Sequence, residues 1–224
     1  MSRQAGRLDR ALAAFRAGEP VLVHDFDDRE GETDIVYPAS AVTPEAVAHL
    51  RNDAGGLICV AVSDAVADAV GLPFLEAQID HPAAASHDLG YDDRSSFSLP
   101  VNHRDTFTGI TDDDRARTIT ELASMASTVD AGVDYDADDF AAEFRAPGHV
   151  HVLRGAPGGL DDRLGHTELG LAMAAETEQA PAVVVCEMLD DETGRALSTD
   201  AAREYARRNG LPYVEGEDLV AALR

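Results

Sequence analysis

Between His24 and Asp34 the sequence reads H-D-F-D-D-R-E-G-E-T-D, with acidic residues at Asp25, Asp27, Asp28, Glu30, Glu32 and Asp34. Carboxylates this dense repel one another unless a cation, an arginine or protons intervene. Oxygen-rich clusters of this kind suit hard cations such as Mg²⁺. A plain acidic surface loop is the alternative, because acidic residues recur along the whole chain.

A second stretch, Arg154 to Thr167, reads R-G-A-P-G-G-L-D-D-R-L-G-H-T and leads into a helix predicted from Thr167 to about Glu178. Glycine-rich backbone entering a helix N-terminus offers free N–H groups and a partial positive charge to an anion. Arg163 adds a charge-assisted donor and Thr167 a hydroxyl, so a small phosphate ester fits; an ordinary turn with a helix cap is the alternative. His149 and His151 share one face of the strand predicted over 149–153, and a metal pair is conceivable there. His166, beside an acidic loop, suggests mixed oxygen and nitrogen coordination, unless each histidine simply bonds a backbone carbonyl. Glu187 interrupts the apolar run AVVVCEML. A carboxylate there must be paired, protonated or at a strand end facing a site, and burial would raise its pKa toward proton-transfer use.

The elements that must position these groups follow from the apolar pattern. Strands are expected at 20–23 and 35–37, making the acidic stretch the loop between them. Further strands are expected at 57–62, 95–101, 149–153, 182–189 and 212–214, with helices at 7–17, 137–144 and 218–223. Thr43 followed by Pro44 starts a helix, Ser63 caps a second, Thr111 before three aspartates a third, and Thr199 a fourth. Residues 75–94 lack periodicity and read as a long loop. The alternation predicts a single α/β domain with some α+β character: a mixed, twisted sheet flanked by helices.

Composition excludes several classes. Forty-two acidic residues face eighteen basic ones, a formal charge of −24, and every basic residue is arginine. Such a surface repels nucleic-acid phosphates. Without lysine there is no Walker A grip, no pyridoxal phosphate linkage and no imine-forming aldolase chemistry. No G-x-G-x-x-G fingerprint supports a dinucleotide site. Cys59 and Cys186 lie inside apolar runs and read as buried small hydrophobes. No membrane span or signal peptide is recognisable, so a cytoplasmic protein is expected. The acidic excess further predicts a halophilic protein of a salt-rich cytosol, since concentrated salt screens the self-repulsion.

Taken together these residues resemble the 3,4-dihydroxy-2-butanone 4-phosphate synthases of riboflavin biosynthesis. The D-R-E-x-E-x-D motif matches Asp28 to Asp34, P-G-H matches Pro147 to His149, R-x-G-H-T-E matches Arg163 to Glu168, and C-E follows at Cys186-Glu187. Thr106 to Ile110 followed by Asp114-Arg115 is a weaker fourth match. The resemblance implies a homodimer that converts D-ribulose 5-phosphate to formate and 3,4-dihydroxy-2-butanone 4-phosphate with Mg²⁺, or Mn²⁺ in its place, and no organic cofactor. Glu30 and His166 would hold the metal. Arg163, Gly165 and Thr167 would grip the phosphate, with Leu164 and His166 also among the substrate-binding residues, Leu164 standing where the family commonly has glycine. Arg29, Asp34, Glu32 and Thr108 would contact the substrate, and His149 and Glu187 would be the acid–base groups. The synthase domain alone, residues 1–224, is expected, without the cyclohydrolase sometimes fused to it. Rival readings are another metal-dependent phosphosugar isomerase or aldolase, and a non-catalytic nucleotide- or RNA-binding domain.

Overall fold

Short runs of β-branched and small apolar residues, buried on both faces, build a central sheet. The structure, a computed structural model, describes residues 3–27, 29–84 and 94–224. Its strands are β1 (Val21–His24), β2 (Thr33–Pro38), β3 (Cys59–Val62), β4 (Phe97–His103), β5 (Phe144–Arg154), β6 (Ala182–Glu187) and β7 (Tyr213–Glu215). They form one mixed sheet in the order β4-β5-β3-β6-β2-β1-β7, parallel only at β1–β7 and β3–β5. The helices are α1 (Arg3–Arg16), α2 (Pro44–Asp53), α3 (Asp64–Ala69), α4 (Asp112–Asp130), α5 (Ala137–Glu143), α6 (His166–Glu176), α7 (Thr199–Asn209) and α8 (Gly216–Leu223).

Strand alternation sorts the core into two layers. Leu22, Ile35, Val60, Val152 and Val184 pack with Leu50 of α2 and Ile119 and Leu122 of α4. Val23, Val36, Ala61, Leu153 and Val183 pack with Phe15 of α1, Leu169 and Met173 of α6, and Leu219 of α8. The second layer ends where the apolar pattern gives way to charge. Asp34 of β2 lies opposite Glu187 of β6, so one end of the sheet carries carboxylates in place of valines.

The caps at Thr43, Ser63 and Thr111 form as expected, each hydroxyl accepting a backbone N–H of the first helical turn. Four expectations change. Ser198, not Thr199, caps α7, and α6 starts at His166, one residue before the expected Thr167. β5 begins at Phe144 and runs through the cis Ala146–Pro147 bond, where the sequence suggests a turn. It does so at a register shift against β4, and a Cβ on Gly148 would come within 1.9 Å of the Val101 carbonyl carbon. Only glycine lets the backbones pass so closely. Part of the expected 75–94 loop forms 3-10 turns at Leu75–Gln78 and Pro82–Ala84, while residues 85–93 lie outside the described residues, as does Asp28.

No helix among the described residues is long and apolar enough to cross a membrane. The formal charge of −24 leads to a first prediction. The melting temperature should rise steadily from dilute buffer to ~1 M KCl, where the screening length falls to roughly 3 Å. Equal melting temperatures in both would rule out charge repulsion as a limit on stability.

Candidate active site

The β1–β2 connection folds back on itself through Asp25. This residue is 3% exposed; its carboxylate accepts the Glu32 N–H at 3.0 Å and pairs with Arg29 at 3.3 Å. Arg29 also pairs with Glu30 at 2.9 Å. The loop thus turns Glu30 toward the end of the sheet, where the first turn of α6 delivers His166. There His166 Nδ1 lies 3.7 Å from Glu30 and 3.4 Å from Asp34. Two stretches far apart in sequence therefore meet at one point.

Asp25, Glu30 and His166 each present a ligand atom within 4.8 Å of the others, a spacing one cation can bridge. Beside them, buried His166 Nε2 has no hydrogen-bond partner among the described residues, and Asp34 Oδ1 has only its ion-pair contact with His166 Nδ1. Buried polar atoms left unpaired cost free energy, and the donor set of two carboxylates and an imidazole suits Mg²⁺ or Mn²⁺. These residues fit a divalent ion.

Protonation follows the crowding. Burial alone would raise Glu30, but the bond to His166 and the Arg29 and His166 charges outweigh it and hold the carboxyl below its usual range. Burial disfavours a charged His166, yet Asp34, Glu30 and Asp25 together push it up to about 9. Asp34 is raised to about 7 by burial and, against the pull of His166, by the Glu187, Glu32 and Glu30 charges. Glu32 is likewise raised to about 7, by burial and then by Glu187 and Glu30. Glu187 is exposed at the end of its strand, and the partial desolvation of its carboxyl at the cavity wall, followed by the Glu30 charge, raises its pKa. The metal-free site therefore holds protons where a cation would otherwise compensate the carboxylates.

A cavity of ≈ 240 Å³ opens beside this cluster. Arg29, Glu30, Asp34, Arg163, His166, Thr167 and Glu187 line it, together with Cys59, Arg94, Ser95, Ser96 and Phe97. Gly165, the residue before α6, has no side chain, and a Cβ there would lie 3.1 Å from both Arg163 Nη1 and Arg29 Nη2. The cavity thus puts two guanidinium groups against the open N-terminus of α6, a setting for an anion. Leu164 packs its side chain against the apolar layer and does not line the cavity.

Glu32, Leu164 and Gly165, expected in the substrate site, do not line the cavity, and two further expected residues, His149 and Thr108, do not either. His149 is held by Asn102, whose Oδ1 accepts the His149 N–H at 2.8 Å, and Thr108 donates its N–H to Asp114 at 3.2 Å. Among the described residues, the grouping of three or more such side chains that could share an ion is Asp25, Glu30 and His166, and neither His149 nor His151 belongs to it. In the other direction, Asp25, Cys59, Arg94 and Ser96 were not singled out from sequence. Asp25 was one acidic residue among six, and Cys59 is indeed buried, at 6% exposure, but at the cavity wall. Burial pushes its thiol far up, so it stays a neutral S–H.

Buried carboxylates, an imidazole and an arginine-flanked helix start at the end of a mixed sheet give this site the groups of an acid–base enzyme. The family model described as 3,4-dihydroxy-2-butanone 4-phosphate synthase matches residues 9–222, and the chain belongs to that family. A protein of that name from Archaeoglobus fulgidus is 48% identical, covering 96% of this chain and 93% of its own. Another, from Methanothermobacter thermautotrophicus, is 44% identical over 95% and 94%. Among solved structures, the Candida albicans synthase superposes with a TM-score of 0.78 at 28% identity, covering 97% of each chain. A synthase crystallised with two magnesium ions gives 0.76 at 30% identity, covering 96% of this chain and 95% of its own. Enzymes of this family serve riboflavin biosynthesis.

Proposed function

We propose that this chain converts D-ribulose 5-phosphate to 3,4-dihydroxy-2-butanone 4-phosphate and formate. The observation that carries the reading is the meeting of Glu30, His166 and Asp25 beside the arginine-flanked start of α6. Asp25, Glu30 and His166 would hold a Mg²⁺ ion, which supplies polarisation of the ketone and stabilises charge developing on the substrate oxygens. Arg163, the Gly165 and His166 backbone and the Thr167 hydroxyl grip the phosphate. Arg29 and Asp34 contact the sugar, with Glu32 behind them. Glu187, at the cavity wall with a raised pKa, takes and returns protons as the carbon alpha to the ketone is deprotonated, water leaves and the skeleton rearranges. The water lost early is regained when one carbon departs as formate, so the atoms balance.

His149 is the second acid–base group of this reading, and Thr108 a substrate contact. They share a surface with Phe107, 93% exposed, and Ile110, 50% exposed. We infer a homodimer in which a second copy carries these residues to the cavity.

The direct test is incubation of the protein with ribulose 5-phosphate and Mg²⁺ in high salt, assayed for formate with and without EDTA. Formate only in the EDTA-free arm is expected. Isomerised sugar phosphate without formate would replace this activity by that of an isomerase.

Metal affinity should also depend on pH. His166 must lose its proton to ligate, and its metal-free pKa of about 9 means that binding releases a proton throughout the neutral range. The apparent Mg²⁺ affinity should therefore rise about tenfold per pH unit up to that value and level off above it. Calorimetric titrations between pH 6.5 and 9.5 check this; a flat profile would remove His166 from the coordination sphere.

A further inference from the structure

We propose that Glu168 is a positioning residue: its buried carboxylate holds the Arg163 guanidinium in the orientation that receives the substrate phosphate. The inference rests on the phosphate-binding reading given above. Glu168 sits in the first turn of α6 at 2% exposure, at the far end of a glycine-rich loop. One oxygen, Oε1, accepts the Ala156 N–H at 3.0 Å, and the other, Oε2, accepts from Arg163 Nη1 at 3.2 Å. A single carboxylate therefore ties the beginning of the loop to its end. Ser96, from the segment entering β4, accepts from the same Nη1 at 2.6 Å.

An acid beside a phosphate site is at first sight misplaced, since it weakens the local positive field. Burying it is also unfavourable unless both oxygens are satisfied. Here both are occupied by the loop and by Arg163, and Glu168 is not among the residues lining the cavity. Its contribution must then come through Arg163. An arginine side chain has many rotamers, and freezing them during binding would subtract from affinity. Glu168 and Ser96 fix Nη1 beforehand, so that the planar fork meets the phosphate already oriented.

The test is a double-mutant cycle on the full-length protein with Mg²⁺, reading KM and kcat for ribulose 5-phosphate and the inhibition constant of inorganic phosphate. Glu168→Gln keeps the shape and an acceptor for Ala156 but loses the charge pair. It should raise KM and the phosphate inhibition constant in parallel, by about 10- to 100-fold, the range of one charge-assisted hydrogen bond, with kcat changing far less. In the Arg163→Ala background the same change should have almost no further effect. Should Glu168→Gln prove too unstable to purify, Glu168→Asp, too short to span both partners, takes its place with the same expectation. Equal factors in both backgrounds would mean a general structural effect and overturn the proposal. So would tighter phosphate binding in Glu168→Gln, which would show that orientation matters less than charge. If Arg163→Ala itself left KM and phosphate inhibition unchanged, the phosphate site would be misassigned, a failure distinct from either of these.

Discussion

Glu30→Gln is expected to abolish detectable formate release and to weaken Mg²⁺ binding by more than ~100-fold. Groups one step removed from a metal already change affinity by about 10- to 100-fold, and Glu30 is placed as a direct ligand. Its carboxyl is also held below its normal pKa, ready charged at neutral pH while Asp34 and Glu32 are raised to about 7. A glutamine retains the shape and one acceptor oxygen but not the charge that offsets a dication. The fold should tolerate the change, because Glu30 is only partly buried and Arg29 keeps its second partner, Asp25, at 3.3 Å. Glu32→Gln is the control: Glu32 lies outside the group that can reach one ion, so Mg²⁺ affinity should move much less. The pair is measured by Mg²⁺ titration calorimetry and formate assay. Equal losses in both variants would mean that bulk negative potential, and not coordination by Glu30, attracts the metal.

Much of this arrangement was legible before any coordinates because the strands are short, apolar and bounded by punctuation. Val21–Val23, Val60–Val62 and Val183–Val185 are buried on both faces, and such runs announce themselves without alternation. Caps were legible for the same local reason, except where a neighbour served as well, as Ser198 did beside Thr199. The first half of β5 was hidden because Pro147-Gly148 has the chemistry of a turn, and only the close passage of Val101 reveals why that pair sits inside a strand. The resemblance drew Glu30 and His166 together, and their distance follows from pairings that no local pattern encodes. Asp25 and Cys59 show the limit from the other side. Residue type left one indistinguishable from five other acids of its loop and marked the other as core, yet the turn of one loop and the edge of one cavity place both at the site. His149 and Thr108 carry motif identities but lie off the cavity, since a motif specifies residue types and not where the chain places them.

Glu187→Gln should separate binding from chemistry. Turnover is expected to fall by about 10²- to 10⁴-fold, the usual range for a general acid–base group, while Mg²⁺ and phosphate binding stay within a few-fold of the parent. The reason lies in where Glu187 stands. It ends β6 opposite Asp34, at the cavity wall and outside the cluster that can bind an ion. Partial desolvation and the nearby Glu30 charge raise its pKa, so it holds a proton at higher pH than an ordinary glutamate and can both give and take one. A raised folded-state pKa on an acid also means that stability is lost as pH rises through that value, because the charged form is disfavoured in the folded protein. The glutamine variant lacks that loss, so at pH 8 its metal-free melting temperature should be at least that of the parent. An inactive variant that was also less stable would indicate that Glu187 holds the sheet end together. One that was stable and near-normal in turnover would take it out of the mechanism. Stability gained with turnover lost is the signature of a group kept for chemistry at the expense of the fold, and β6 would otherwise be served by another valine.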